Sequence, residues 1–255
     1  MRDPTPALAY KYLSVDRLTY LEDQLLRFSQ PGCLNDPFEC YPGLPPHVAS
    51  QLIQLAAAPT PIVVLSKQIV DTVLIPYLES IASRLNHSIG LLCLSARWNS
   101  TLMWSHYAND HRGFCVGFDI THPFFSTDHI AKGGWGPIQT VDYSDLRPQV
   151  RLEHLPTEEV VKLLTTKHTD WSYERELRLV RSLHEADKVL QVVNGLQIAL
   201  YRVPHVSIRE MYAGARAPQS LRDTLRSHAK RLSAKFYEAE LSINRYDLAR
   251  WPREA

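Results

Sequence analysis

The sequence has little net charge, no long hydrophobic run and few cysteines. Its 28 Lys and Arg residues nearly balance 27 Asp and Glu residues, which argues against a broad electrostatic surface for nucleic acid. No stretch reaches the roughly 18 uncharged apolar residues of a membrane helix. The first residues, Met-Arg-Asp-Pro-Thr-Pro, lack the apolar core of a signal peptide. We therefore expect a cytoplasmic protein without a membrane partner.

The four cysteines are too few and too dispersed for a disulfide framework, and none forms a Cys-x-x-Cys pair. They are Cys33, Cys40, Cys93 and Cys115. A zinc site that joins two of them to His106 and His111 has a spacing unlike the usual zinc signatures. The sequence predicts reduced, buried thiols and no metal site.

Hydrophobic periodicity predicts a single α+β domain over residues 1–255. Predicted strands lie near residues 8–13, 89–95, 113–120, 138–143, 174–181, 197–203, 208–213 and 236–243. Predicted helices lie near residues 14–22, 70–85, 101–109, 157–168 and 220–232. A proline-punctuated and helical insertion is expected around residues 41–88.

The first candidate for chemistry is the run Trp171 to Leu179. If this run is a strand, Glu174 and Glu176 share one face with Cα atoms roughly 7 Å apart. Two such carboxylates raise each other's proton affinity and suit acid/base or cation-stabilising work. The alternative is a solvent-facing edge strand with an ion pair between Glu176 and Arg178.

The second candidate is the predicted helix at residues 101–109. Trp104 and Tyr107 are three residues apart and therefore share a helix face, with His106 on the adjacent side. Such a group could form a stacking platform for a ligand. The alternative is a pair of ordinary core aromatics and a hydrogen-bonded imidazole.

A third candidate is the turn Asn35-Asp36-Pro37-Phe38-Glu39. Asn and Asp before a proline form side-chain-to-backbone turns, so the segment is either a rigid corner or part of a site. A hydrolase that pairs His106 with Asp36 or Glu39 would need these segments to converge. The loop at Gly133-Gly134-Trp135-Gly136 lacks the lysine of a phosphate loop.

Several of these segments together resemble a bacterial family known as the domain of unknown function 2971. The matching segments run through much of the chain: residues 10–12, 28–29, 35–39, 93–95, 103–107, 113–119 and 171–178. That family has no assigned activity, so the resemblance implies membership of a family but no particular reaction or ligand.

More distantly, the order of these segments is similar to that of the ADP-ribosyltransferases. That resemblance implies a bent, split mixed β-sheet flanked by helices, with NAD as substrate. It also implies that Glu176 bonds the ribose and stabilises the developing cation, and that Glu174 serves the acceptor. The implied nucleotide-binding residues are Lys11, Tyr12, Ser95, Trp104, His106 and Tyr107, with Lys11 in the place of an arginine or histidine.

Two functions follow as expectations. The first is a transferase that moves ADP-ribose to a protein or nucleic-acid acceptor, or hydrolyses NAD, in a toxin or phage-defence setting. The second is a non-catalytic sensor or interaction protein that binds a nucleotide or a partner in the same cleft, with its glutamates paired to arginines.

Overall fold

The computed structural model describes residues 6–44, 67–128, 135–150, 156–193 and 195–253, together with residues 48, 50, 51 and 54. Within these ranges the protein is a mixed α+β structure with three sheets and several helices. Part of the predicted insertion at residues 41–88 lies outside the described residues, as do Gly133 and Gly134 of the loop at 133–136.

The largest sheet has eight strands. In chain order they are β1 (Leu8–Leu13), β3 (Ile89–Ser95), β4 (Phe114–Asp119), β5 (Gln139–Thr140), β8 (Glu176–Ser182), β11 (Ile208–Ala213), β12 (Lys235–Leu241) and β13 (Leu248–Arg253). Across the sheet they are arranged β13-β12-β11-β4-β1-β3-β8-β5. All neighbours pair antiparallel except β11 and β12, which are parallel and joined by helix α6 (Gln219–Leu232). The sheet is therefore mixed.

The smaller sheets pack around this one. β2 (Leu25–Phe28), β9 (Lys188–Val193) and β10 (Leu196–Arg202) form a three-stranded sheet, and β6 (Asp142–Tyr143) pairs with β7 (Thr166–Lys167). The other α-helices with described bounds are α1 (Tyr20–Asp23), α2 (Ile75–Ser88), α3 (Thr101–Tyr107), α4 (Pro123–Ser126) and α5 (Thr157–Leu164).

The middle of the large sheet forms because its strands are almost continuously apolar. β3 reads Ile-Gly-Leu-Leu-Cys-Leu-Ser and β4 reads Phe-Cys-Val-Gly-Phe-Asp, a pattern typical of strands covered on both faces. One core cluster includes Phe28, Leu92 and Phe118 and joins the large sheet to the three-stranded sheet. These strands fix the residues at their ends, where the candidate site lies.

Several predicted boundaries need correction. The strand expected at residues 174–181 begins only at Glu176, because residues 169–174 form a 3-10 helix and Arg175 adopts a left-handed conformation with φ 44°. The helix expected at 157–168 ends at Leu164, and that at 14–22 splits into two short turns. The helix expected from residue 70 begins with a π-helical turn, Val70–Leu74. No strand was predicted at β2, β9 or β13, and β7 lies in the predicted helix at 157–168.

The predicted α+β class, with a mixed sheet and several helices, is confirmed. No helix among the described residues is both long and apolar enough to cross a membrane.

Candidate functional site

Three neighbouring strands bring the predicted residues together. In the sheet, Tyr10 of β1 lies opposite Ser95 of β3, and Ser95 lies opposite Glu176 of β8. Beside this row is a cavity of about 180 Å³, here called the central cavity. It is lined by Tyr10, Lys11, Tyr12, Ser29, Cys33, Leu34, Asn35, Glu39, Cys93, Leu94, Ser95, Met103, Tyr107, Lys167, Glu174 and Glu176.

Glu176 does not face this cavity as a free carboxylate. Arg178 donates to both of its oxygens, at 2.8 Å from Nε and 2.9 Å from the terminal nitrogen, and Lys167 Nζ lies 3.2 Å away. The ion pair with Arg178 was the alternative expected from the sequence. The solvent-facing edge was wrong, because β8 lies between β3 and β5 and Arg178 is fully buried.

Glu174 reaches the same place from outside the strand. Its Oε1 accepts a hydrogen bond from the Tyr107 hydroxyl at 2.7 Å, and its Oε2 accepts one from Lys167 at 2.7 Å. The Tyr107 hydroxyl also accepts a hydrogen bond from Asn35 at 2.7 Å. The two glutamates are thus joined by a shared lysine and not by a common strand face.

Ser95 holds Glu174 in position. Its hydroxyl is fully buried and donates to the backbone carbonyl of Glu174 at 2.6 Å, while it accepts from the amide of Arg97 at 3.2 Å. On the neighbouring strand Lys11 is half-buried and donates to the Cys93 carbonyl at 2.9 Å. Ser95 is therefore a structural support of the site, and Lys11 is a cation at its wall.

Lys167 was not among the residues predicted from the sequence. Its side chain is 5% exposed, and its ammonium contacts three carboxylates, those of Glu39, Glu174 and Glu176. These residues and Arg178 form what we call the buried charge cluster. Lys167 stands at the end of the short strand β7, seven residues before Glu174. Its position there could have been found only from the fold, because no sequence spacing links it to Glu39.

Burial and these contacts shift the proton affinities of the cluster. Burial raises the pKa of Glu176, although the neighbouring Lys167 opposes this. Burial alone would lower the pKa of Lys167, but Glu176 and Glu174 outweigh it and raise the value. Burial and Glu174 raise the pKa of Tyr107. Lys167 is therefore held as a cation and Tyr107 as a neutral donor, so neither is an activated base.

Two of the predicted nucleotide-binding residues lie elsewhere. Trp104 is fully buried, packs edge-on against Tyr12 at 5.3 Å and donates its indole N–H to the Trp98 carbonyl, so it is a core residue. His106 is exposed and lies 3.1 Å from the Tyr173 hydroxyl. Neither lines the central cavity, because the short helix α3 turns only Met103 and Tyr107 towards it.

The turn at residues 35–39 contributes to the site as well as shaping the chain. Asp36 accepts the Phe38 amide at 2.9 Å, as expected for a rigid corner. The same corner delivers Asn35 and Glu39 to the central cavity. Among the described residues, no three His, Cys, Asp or Glu side chains are grouped as metal ligands would be.

Comparison with known proteins gives one match. The model of a family described as "Protein of unknown function (DUF2971)" matches residues 103–179, a narrower range than the sequence analysis expects. That range contains Tyr107 and most of the buried charge cluster, but not Lys11, Glu39 or Ser95. No curated protein and no solved structure matches the chain. None of these comparisons supports the resemblance to ADP-ribosyltransferases.

Proposed function

We propose that the central cavity binds a ribose-bearing nucleotide and that NAD is the first ligand to test. The observation that supports this most directly is the convergence of Lys11, Asn35, Tyr107 and Glu174 on one cavity from separate parts of the chain. A small number of polar groups in a partly apolar wall is typical of small-molecule sites.

The donors and acceptors suit a sugar with vicinal hydroxyls. Carboxylate oxygens of Glu174 accept hydroxyl protons, whereas Lys11 and Asn35 donate. The tyrosine rings that line the cavity offer apolar surface for a flat base. At about 180 Å³ the cavity is smaller than the roughly 300–1,000 Å³ of sites that enclose drug-sized ligands. It would enclose one nucleoside-sized part, with the rest of a dinucleotide outside.

Binding without catalysis fits the charges better than transfer of ADP-ribose. A carboxylate that stabilises an oxocarbenium ion must present negative charge to the sugar. Both oxygens of Glu176 are already bonded to Arg178, and Lys167 lies beside them. The pairing partly neutralises the charge that such a reaction needs.

Transfer of ADP-ribose or hydrolysis of NAD is the second candidate, and the register of three strands supports it. Lys11, Ser95 and Glu176 stand on three adjacent strands beside one cavity, the order that the resemblance implies. For this function a bound ligand would have to draw Glu176 away from Arg178. The acceptor would then be a macromolecule or water.

Calorimetry with NAD, ADP-ribose and AMP tests the first proposal. We expect NAD to bind, and Lys11→Met to weaken binding about tenfold, as for loss of one charge-assisted hydrogen bond. Lys162→Met, an exposed lysine of helix α5, is the matched control and should bind as the wild type. If the folded wild type binds none of the three compounds, the proposal of a nucleotide site is wrong.

Nicotinamide release from NAD separates the two candidates. Wild-type protein and Glu176→Gln are incubated with NAD, with and without cell extract as a source of acceptor. Binding without release is the expected result. Release that disappears in a folded Glu176→Gln variant would establish the transferase or hydrolase instead.

A further inference from the structure

A second cavity lies on the other side of the buried charge cluster. This side cavity has a volume of about 250 Å³. It is lined by Asp36, Phe38, Glu39, Cys40, Ser144, Asp145, Leu146, Arg147, Pro148, Thr166, Lys167 and His168. Glu39 and Lys167 line both cavities and form the partition between them.

Glu39 is the most unusual group in this wall. Its side chain has no exposed surface, one oxygen contacts Arg178, and the other lies 3.5 Å from Lys167 Nζ. Beyond these two ion pairs, neither oxygen has a hydrogen-bond partner among the described residues. Each carboxylate oxygen has two acceptor sites, so Glu39 could accept a further donor that reached it through the side cavity.

The mouth of the side cavity already holds a guanidinium group against aromatic rings. Arg147 lies 5.9 Å from the Phe38 ring centroid and 5.6 Å from that of Tyr41. Phe38 is 62% exposed. Within the described part of the chain these rings are the partners of the Arg147 guanidinium. An external cation could therefore take over the same ring faces.

The charge of the lining also favours a cation. Three carboxylates, Asp36, Glu39 and Asp145, face two permanent cations, Arg147 and Lys167. Lys167 is occupied by the carboxylates of the buried charge cluster, and Arg147 is an exposed side chain at the mouth. The deepest group of the lining with spare hydrogen-bonding capacity is therefore the acceptor Glu39.

We propose that the side cavity is a binding site for a cationic group, in the first place the guanidinium of an arginine side chain. The group enters between Phe38 and Leu146, stacks on Phe38 in place of Arg147 and donates to Glu39. This site is separate from the nucleotide site proposed for the central cavity, although the two share the partition.

An NMR titration with N-acetyl-arginine amide tests the proposal, with the neutral isostere N-acetyl-citrulline amide as the control ligand. The arginine compound should bind at least about tenfold more tightly, because only its guanidinium carries charge. N-acetyl-lysine amide shows whether an ammonium group is accepted too. Equal binding of arginine and citrulline compounds, or a preference for N-acetyl-glutamate amide, would overturn the proposal.

Variants at the mouth give effects of opposite sign. Phe38→Ala should weaken binding of the arginine compound about threefold through loss of the ring face, whereas Arg147→Ala should strengthen it by a similar factor. Arg17→Ala, an exposed arginine far along the chain, is the matched control. A merely structural Arg147 would not give tighter binding, so an unchanged or weaker affinity of Arg147→Ala contradicts the proposal.

Glu39→Gln should lower the affinity about tenfold or more if the variant folds. If it does not fold, the two variants at the mouth decide the matter, since both residues are exposed. All of these titrations are made without nucleotide. If the central cavity does not bind NAD, the results for the side cavity are therefore interpreted in the same way.

Discussion

Glu176 and Glu210 are buried glutamates of the large sheet, and their charges are balanced in different ways. Glu176 is bonded by two cations, Arg178 and Lys167. Glu210 of β11, 7% exposed, accepts from the hydroxyls of Tyr10 and Tyr212 at 3.0 and 2.7 Å. Its only cation among the described residues is Arg250, 3.3 Å away, with a side chain that is 39% exposed.

The two carboxylates differ in how strongly their burial depends on buried cations from other parts of the fold. The cations that pair with Glu176 come from β7 and β8 and also serve Glu39, so removal of one of them leaves charge buried without compensation. Glu210 has the partly exposed Arg250 as its cation, and its closest donors are neutral hydroxyls on its own strand and on β1. Such donors stabilise a carboxylate without burying a second charge. The first region should therefore tolerate substitution far less than the second.

Lys167→Met gives the largest effect. It leaves Glu39, Glu174 and Glu176 facing each other with Arg178 as the remaining cation of the cluster, and we expect the free energy of unfolding to fall by about 3–5 kcal/mol. Urea denaturation followed by circular dichroism measures this. Lys162→Met, exposed on helix α5, should change stability very little. Equally small decreases in the free energy of unfolding in both variants would show that the buried charge cluster does not stabilise this region.

Alkaline pH should remove the same stabilisation from the wild type. The folded state raises the pKa of Lys167 above its ordinary value of 10.5, because Glu176 and Glu174 outweigh burial. A group of this kind stabilises fully below the unfolded pKa, and the contribution is lost as pH rises through the folded pKa. The stability difference between wild type and Lys167→Met should stay constant from neutral pH to about pH 10 and decline only above it. A difference that already declines near pH 8 would contradict the assignment.

Glu210→Gln should cost less, about 1–3 kcal/mol, because the amide oxygen still accepts from a tyrosine hydroxyl while its NH₂ group replaces an acceptor. Urea denaturation is again the measurement, with the exposed Glu79→Gln as the control. A loss as large as that of Lys167→Met would remove the distinction between the two regions.

The same contrast explains what could be predicted from the sequence. Runs such as Ile89–Ser95 are apolar enough to predict buried strands. That Lys11, Ser95 and Glu176 share one cleft was implied only by the resemblance to ADP-ribosyltransferases, and all three line the central cavity. Tyr107 and Glu174, which the sequence offered as candidates, both line the central cavity. Whether they bind a nucleotide stays a prediction.

What could not be predicted depends on contacts between distant segments. Lys167 and Glu39 are 128 positions apart in the sequence and meet only because the turn and β7 approach the same strand end. The left-handed conformation of Arg175 breaks the expected strand at the position between the two glutamates. Trp104 and His106 do not line the central cavity, because helical spacing predicts a shared face but not which face meets the cavity.

Arg250→Gln gives the smallest effect and tests the second region most sharply. The guanidinium lies 4.7 Å from the Tyr237 ring and 5.7 Å from that of Trp98, and it also contacts Glu210. Because the side chain is partly exposed, we expect a loss of about 0.5–1 kcal/mol, the range of solvent-exposed cation–π contacts. Arg245→Gln, exposed between β12 and β13, is the control. If Arg250→Gln instead costs as much as Lys167→Met, then Glu210 depends on its cation as Glu176 does, and neutral tyrosine donors are not sufficient to hold a carboxylate buried in this sheet.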